Sequence, residues 1–128
     1  MKQIWIVDDD EDMSRAIGLM LRLIDCEART FLNARSAAEA LLAGEQRPDL
    51  VILDVNMPEV SGMDLLEFLR RDPEWHDLPI VMLSSEVTDV QVDAALDKGA
   101  DGYVFKPVTI EELDKVMKKA FEMHPRKA

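Results

Sequence analysis

Leu50-Val51-Ile52-Leu53-Asp54 sets four apolar residues in succession and closes them with a carboxylate, and its reading decides the fold. The run has strand length but no alternation of apolar with polar, the pattern of a parallel strand covered on both faces by helices. Outward from it, Ile4 to Val7 and Ile80 to Leu83 repeat the pattern, and Gly102 to Phe105 is a fourth short run. Glu27 to Leu32 mixes in Arg29 and Thr30, which places this strand at an edge of the sheet.

Longer stretches at helical spacing separate the strands. Ser36 with Glu39, Thr88 with Gln91 and Thr109 with Glu112 read as capping boxes that start three of the helices. After Thr109, Leu113, Val116, Met117 and Ala120 recur at i, i+3, i+4, i+7 and leave Glu111, Lys115, Lys118 and Lys119 for solvent. Gly44 and Gly99 stand where the second and fourth helices stop, and Arg70 and Arg71 ahead of Pro73 make a cationic end for the third. Five strand-helix units in strict alternation predict an open, doubly wound parallel sheet of the α/β class with helices on both faces. One domain over residues 1–128 is expected, with His124 to Ala128 a frayed tail.

Composition narrows the function. The 128 residues, 48% hydrophobic and 32% charged, suffice for one globular core. Lys and Arg total 15 against 26 Asp and Glu, a formal charge of −11, so nucleic acid and anionic membranes are excluded as direct partners because their phosphates would be repelled. Proteins are the expected partners and a cation the expected ligand. No apolar run reaches the roughly 18 residues of a membrane span. A lone cysteine, Cys26, and an N-terminus without signal-peptide layout make the cytoplasm the expected location. Trp5 and Cys26 read as packing residues, the eight methionines as adaptable core, and His76 and His124 as surface histidines without acidic or Cys neighbours at metal spacing.

In an open doubly wound sheet the ligand site lies beyond the carboxyl ends of the strands, so the residues ending each strand carry the chemistry. The first strand runs into Asp8-Asp9-Asp10-Glu11-Asp12, the third ends in Asp54, the fourth in Ser84-Ser85 and the fifth in Lys106-Pro107. Asp10, Glu11 and Asp12 are accounted for by the partial positive charge of a helix N-terminus. Asp8 and Asp9 still belong to the strand end, and with Asp54 one strand away the carboxylates repel unless one is protonated or a cation is bound. A hard divalent ion such as Mg2+ suits oxygen ligands, whereas a calcium loop would need alternate-residue ligands, a central Gly and a distal Glu that are missing. Lys106 precedes a proline whose peptide bond can be cis, which would aim the ammonium at the cluster, and Ser84 could donate a hydrogen bond to the same ligand.

Val7-Asp8-Asp9, the run from Leu53-Asp54-Val55-Asn56-Met57-Pro58 to Gly62, Leu78-Pro79 through Ser84-Ser85, and Gly99 through Lys106-Pro107 resemble the receiver domain of bacterial two-component response regulators. The likeness covers nearly the whole chain, and four motifs stand in order at four strand ends. It implies a flavodoxin-like fold, (βα)5, with strand order 2-1-3-4-5. By the same resemblance Asp54 is the phosphoacceptor, charged by the phosphohistidine of a sensor histidine kinase or a histidine phosphotransfer protein. Asp8, Asp9, Asp54 and the backbone carbonyl of Asn56 would bind Mg2+. Ser84 and Lys106 would contact the phosphoryl group, and Ser84 and Tyr103 would form the conformational switch.

Further expectations follow from the likeness. Asn56 and Glu86 occupy the positions that tune phosphoryl lifetime. The first helix carries more apolar surface than one buried face requires, with Ala16, Leu19 and Leu23 widening its stripe. A wide core face with Leu19 and Leu23 under a neighbouring helix is the alternative, and Met13 and Ala16, near the site, are the expected kinase-docking residues. Output passes to a downstream protein partner from a monomer or a weak phosphorylation-dependent dimer, and the only catalysis is the chain's own phosphorylation and dephosphorylation. A free-standing receiver is favoured over the receiver portion of a longer regulator with a DNA-binding or enzymatic output domain. An aspartate-nucleophile phosphohydrolase is the remote alternative, because Asn56 stands where those enzymes carry a second Asp.

Overall fold

The computed structural model describes residues 1–44, 46–85 and 89–124. Elements alternate in the order β1 (Lys2–Val7), α1 (Glu11–Leu23), β2 (Cys26–Phe31), α2 (Ala34–Leu42), β3 (Leu50–Asp54), α3 (Gly62–Arg71), β4 (Ile80–Ser84), α4 (Asp89–Asp97), β5 (Gly102–Phe105) and α5 (Ile110–Met123). The strands form one parallel sheet in the order β2-β1-β3-β4-β5, with the mixed-composition strand β2 at an edge, as expected.

Strand periodicity divides the core between two faces. Ile4 and Ile6 of β1 join Ile17 and Leu21 of α1 and Leu113, Met117 and Ala120 of α5 on one face. Trp5 and Val7 join Ala37 and Leu41 of α2, Leu66 and Leu69 of α3 and Ala95 of α4 on the other. Burying a Leu or Ile of this kind contributes about 1.5–3 kcal/mol, so two covered faces hold the three central strands firmly.

The helix starts differ from expectation in instructive ways. Helix α2 is capped by Asn33, whose side chain accepts from the Ser36 N–H at 2.8 Å, and not by Ser36 with Glu39. Asn is at least as good a cap as Ser, and starting at Ala34 buries that residue in the core. Helix α3 has a capping box built from Ser61 and Asp64, the shorter acid replacing the usual Glu or Gln. Thr109 caps α5 and accepts from the Glu112 N–H at 3.2 Å. The Thr88 cap lies outside the described residues.

His124 departs from the tail expected of it. Its Nε2 lies 2.7 Å from Oδ1 of the buried Asp101, whose Oδ2 accepts from Arg70 and from the Ile80 N–H, both at 2.9 Å. Arg70, read as a helix-end charge, also donates to the carbonyls of Gly99 at 2.8 Å and Leu78 at 2.7 Å. Gly99 has φ +107, and a Cβ there would meet the Arg70 side chain at 2.9 Å, so this turn and the guanidinium share one space. The cluster ties α3, the start of β4, the α4–β5 turn and the end of α5 together at the end of the sheet remote from Asp54.

Candidate functional site

The chain leaves β1 toward β2 on one side and leaves β3 toward β4 on the other, which makes the β1–β3 boundary the switch point of the sheet, where a crevice opens. Asp8 follows β1 and Asp54 ends β3, and both are buried. Asp9 is exposed. One carboxylate oxygen from each of Asp8, Asp9 and Asp54 lies within 4.8 Å of the other two.

Local structure holds these groups in place. Oδ1 of Asp8 accepts from the Asp10 N–H at 3.0 Å, and the Asp8 N–H donates to the Phe31 carbonyl at 3.0 Å. Asp10 caps α1, accepting from the Met13 N–H at 3.1 Å, and Glu11 and Asp12 fill the first turn, so the rest of the acidic run serves the helix as expected. Oδ1 of Asp54 accepts from the Asn56 N–H at 3.2 Å. Behind Asp54, the Gly62 N–H donates to the Val55 carbonyl at 3.1 Å, and a Cβ on Gly62 would fall 1.9 Å from the Asp54 carbonyl oxygen. Only glycine lets α3 begin so close to the strand end. Gly62 belongs to the motif quoted above, but its contact could not be read from spacing.

Lys106 reaches in from the end of β5. Its Nζ lies 3.1 Å from Asp8 Oδ2 and 3.7 Å from Asp54 Oδ2, and its backbone N–H donates to the Ser84 carbonyl at 2.8 Å. The Lys106–Pro107 peptide is cis. Ser84, the last residue of β4, is fully buried beside Asp54's strand.

Electrostatics mark the pocket as short of positive charge. Asp54 is pushed from its ordinary 3.8 up to about 7, first by burial and then by the hydrogen bond and negative charge of Asp8, against the pull of Lys106 and the Asn56 N–H. For Lys106, burial opposes the ammonium, yet Asp8 and Asp54 outweigh it and hold the group above its ordinary 10.5. Among the described residues one ammonium pairs with Asp8 and Asp54, while Asp9 adds a third carboxylate to the cluster. Oδ2 of Asp8 is buried and, apart from the Lys106 ion pair, has no aligned hydrogen bond. Three converging carboxylates, an under-satisfied buried oxygen and a raised acid fit a hard divalent cation, which takes oxygen ligands and keeps waters that a phosphate can replace.

The remaining expected residues lie around this centre. Asn56 is exposed at the rim, and Glu86 lies outside the described residues. Tyr103 packs against the α2–α4 side of the core with its hydroxyl buried and without a hydrogen-bond partner, its ring 5.2 Å from that of Phe105. On α1, Met13 is half-buried against the α1–α5 core and Ala16 is half-buried, whereas Leu19 and Leu23 are 57% and 77% exposed. A wide core face that buries Leu19 and Leu23 is thus not what forms, because α1 turns only Ser14, Ile17 and Leu21 fully inward.

Residues 4–118 match the response regulator receiver domain, and the chain belongs to that family, the receiver domains of two-component systems. It is similar to chemotaxis protein CheY-3 of Vibrio cholerae, 35% identical over 124 residues that cover 94% of this chain and 92% of that protein. It is also similar to Protein RcaC of Microchaete diplosiphon, 34% identical over 111 residues that cover 87% of this chain and 17% of that protein. Among solved structures, Vibrio cholerae CheY4 superposes with a TM-score of 0.83 at 28% identity, covering 94% of this chain and 98% of that one. Receiver domains use Mg2+ and answer to histidine kinases, and no helix among the described residues is long and apolar enough to cross a membrane.

Proposed function

We propose that Asp54 accepts a phosphoryl group from a phosphohistidine in a Mg2+-dependent reaction, and that the resulting change of conformation signals to a partner protein. The convergence of Asp8, Asp9 and Asp54, with the Lys106 ammonium against the first and last of them, is the observation that carries this reading. An oxygen of Asp54 attacks phosphorus, the P–N bond to the kinase imidazole breaks, and its electron pair returns to the ring, which takes a proton. A carboxylate is a weak nucleophile toward an anionic phosphoryl group, so alignment and charge neutralisation do the catalysis. Mg2+, held by Asp8, Asp9, Asp54 and the Asn56 carbonyl, supplies most of that neutralisation when bound.

Lys106 supplies the rest, and Ser84 donates to a phosphoryl oxygen. Asn56 and Glu86 govern how readily water reaches the phosphoaspartate, read as the decay of the labelled species when both are replaced by bulky groups. Tyr103, with an unpartnered buried hydroxyl, follows the switch. The near-complete match to CheY-3 supports output by binding another protein, while the small share of RcaC that the chain spans supports a receiver serving a longer regulator.

Acetyl phosphate with Mg2+ tests the assignment. Intact mass should show one added phosphoryl group on the wild type and none on Asp54→Asn, and labelling that survives in Asp54→Asn would overturn it.

A further inference from the structure

β2 is an open edge, and its backbone groups divide cleanly. The Asp8 N–H donates to the Phe31 carbonyl, so the odd-numbered residues of β2 turn toward β1, and Cys26, Ala28 and Thr30 turn their N–H and C=O groups outward. Such a row is a template for a further strand. Beside it a groove of about 890 Å3 runs between α1 and β2, lined among others by Ser14, Gly18, Leu19, Ala28, Thr30 and Leu32. Its lining is mixed, with Leu19 57% and Leu32 43% exposed among the charged side chains of Glu11, Arg15, Arg22 and Glu27, and the buried Ser14 hydroxyl has no hydrogen-bond partner among the described residues.

We propose that this edge is the interface of a two-fold homodimer in which β2 pairs antiparallel with β2 of a second copy about Ala28, making one continuous sheet. Charge selects the occupant and the register. About a dyad at Ala28, Glu27 stands opposite Arg29 of the other copy, twice, and opposite charges across a strand pair attract. A dyad at Cys26 would instead set Asp25 against Glu27, and one at Thr30 would set Arg29 against Phe31. Both charges are already held at the edge, Glu27 by a 2.6 Å hydrogen bond from Gln3 and Arg29 over the rings of Phe31 and Trp5 at 4.8 and 5.3 Å. On the α1 face the same dyad sets Ala28 against itself, a side chain small enough to let the two strands close.

The charge of −11 on each chain opposes association, but at physiological ionic strength it is screened over about 8 Å while the paired residues are in contact. The inference goes beyond the phosphoacceptor reading and stands or falls without it, since its test uses unphosphorylated protein and reads oligomeric state.

Sedimentation equilibrium of the full chain should show a monomer–dimer equilibrium. Arg29→Glu should weaken it at least about tenfold, and the exchange Glu27→Arg with Arg29→Glu should restore it, because the pairs re-form with their signs reversed. In a Cys26→Ser background, Ala28→Cys should oxidise to a covalent dimer and Thr30→Cys should not, since only position 28 faces its own copy. Circular dichroism confirms that each variant is folded. A wild-type chain that stays monomeric up to about 1 mM, a dimer indifferent to Arg29→Glu, or cross-linking at position 30 in preference to 28 would each overturn the proposal.

Discussion

Replacing Asp54 by Asn should stabilise the metal-free protein, and by an amount that grows with pH. In the folded chain the Asp54 carboxyl is raised from 3.8 to about 7, chiefly by burial and by Asp8. A raised folded pKa means that the favourable contribution is complete below about pH 4, where the group is protonated in both states, and is lost as pH rises through about 7. At 1.36 kcal/mol for each tenfold change in proton affinity, the loss reaches about 4 kcal/mol once the group is ionised. Asparagine keeps the shape and never ionises, so it escapes that loss. Urea denaturation in chelator, from about pH 4 to about pH 8.5, measures both proteins over the window. The difference in unfolding free energy should start near zero and climb to as much as about 4 kcal/mol in favour of Asp54→Asn. Titrations of groups that do not interact with Asp54 cancel in that difference. A gap that is constant across the window, or that favours the wild type at alkaline pH, would refute the reasoning, because it would mean that Asp54 carries its charge without cost.

Three further outcomes follow from the same geometry. Saturating Mg2+ should raise the melting temperature of the wild type, and Asp9→Ala should abolish that shift; an equal shift in both would remove Asp9 from the ligand set. Asp101→Ala should cost about 3 kcal/mol in urea denaturation while leaving acetyl phosphate labelling intact, because it strips Arg70, Ile80 and His124 of a shared buried acceptor far from Asp54. Met13→Lys should slow phosphotransfer from the cognate kinase severalfold and leave acetyl phosphate labelling unchanged, since only the kinase has to dock; equal kinase rates for both proteins would place docking elsewhere.

How much of this was legible depended on whether a feature is local. Ile4 to Val7, Leu50 to Leu53 and Ile80 to Leu83 announce central strands because burial on both faces demands unbroken apolar side chains, and each appears near the expected position. The strands β3 and β4 each run one residue further, to Asp54 and Ser84, because the ladder continues until the chain turns, whatever the polarity of the last side chain. The caps are less legible in the sequence. Asn33 and Ser61 act through a bond to a backbone N–H three residues on, and Asn33 competes with Ser36 at nearly the same place; which of them caps is decided by whether Ala34 reaches the core.

The carboxylate centre was legible because the fold rule converts strand ends into neighbours: once five parallel strands are granted, Asp8, Asp9, Asp54, Ser84 and Lys106 need no further information to be placed at one end. No such rule covers the opposite end. Asp101 and His124 are 23 residues apart and Arg70 is 31 from Asp101, so nothing in their spacing links them. They meet because the α4–β5 turn buries a carboxylate that must be satisfied, and the helix end and the α5 terminus happen to supply donors within reach. Burial without a ligand cost is what separates the two sites. Asp101 has a donor for each oxygen and a neutralising guanidinium, whereas among the described residues Asp8 and Asp54 share a single ammonium and leave a buried oxygen under-satisfied. A fold that completes its hydrogen bonds around one buried acid and leaves them incomplete around another has reserved the second for something it binds.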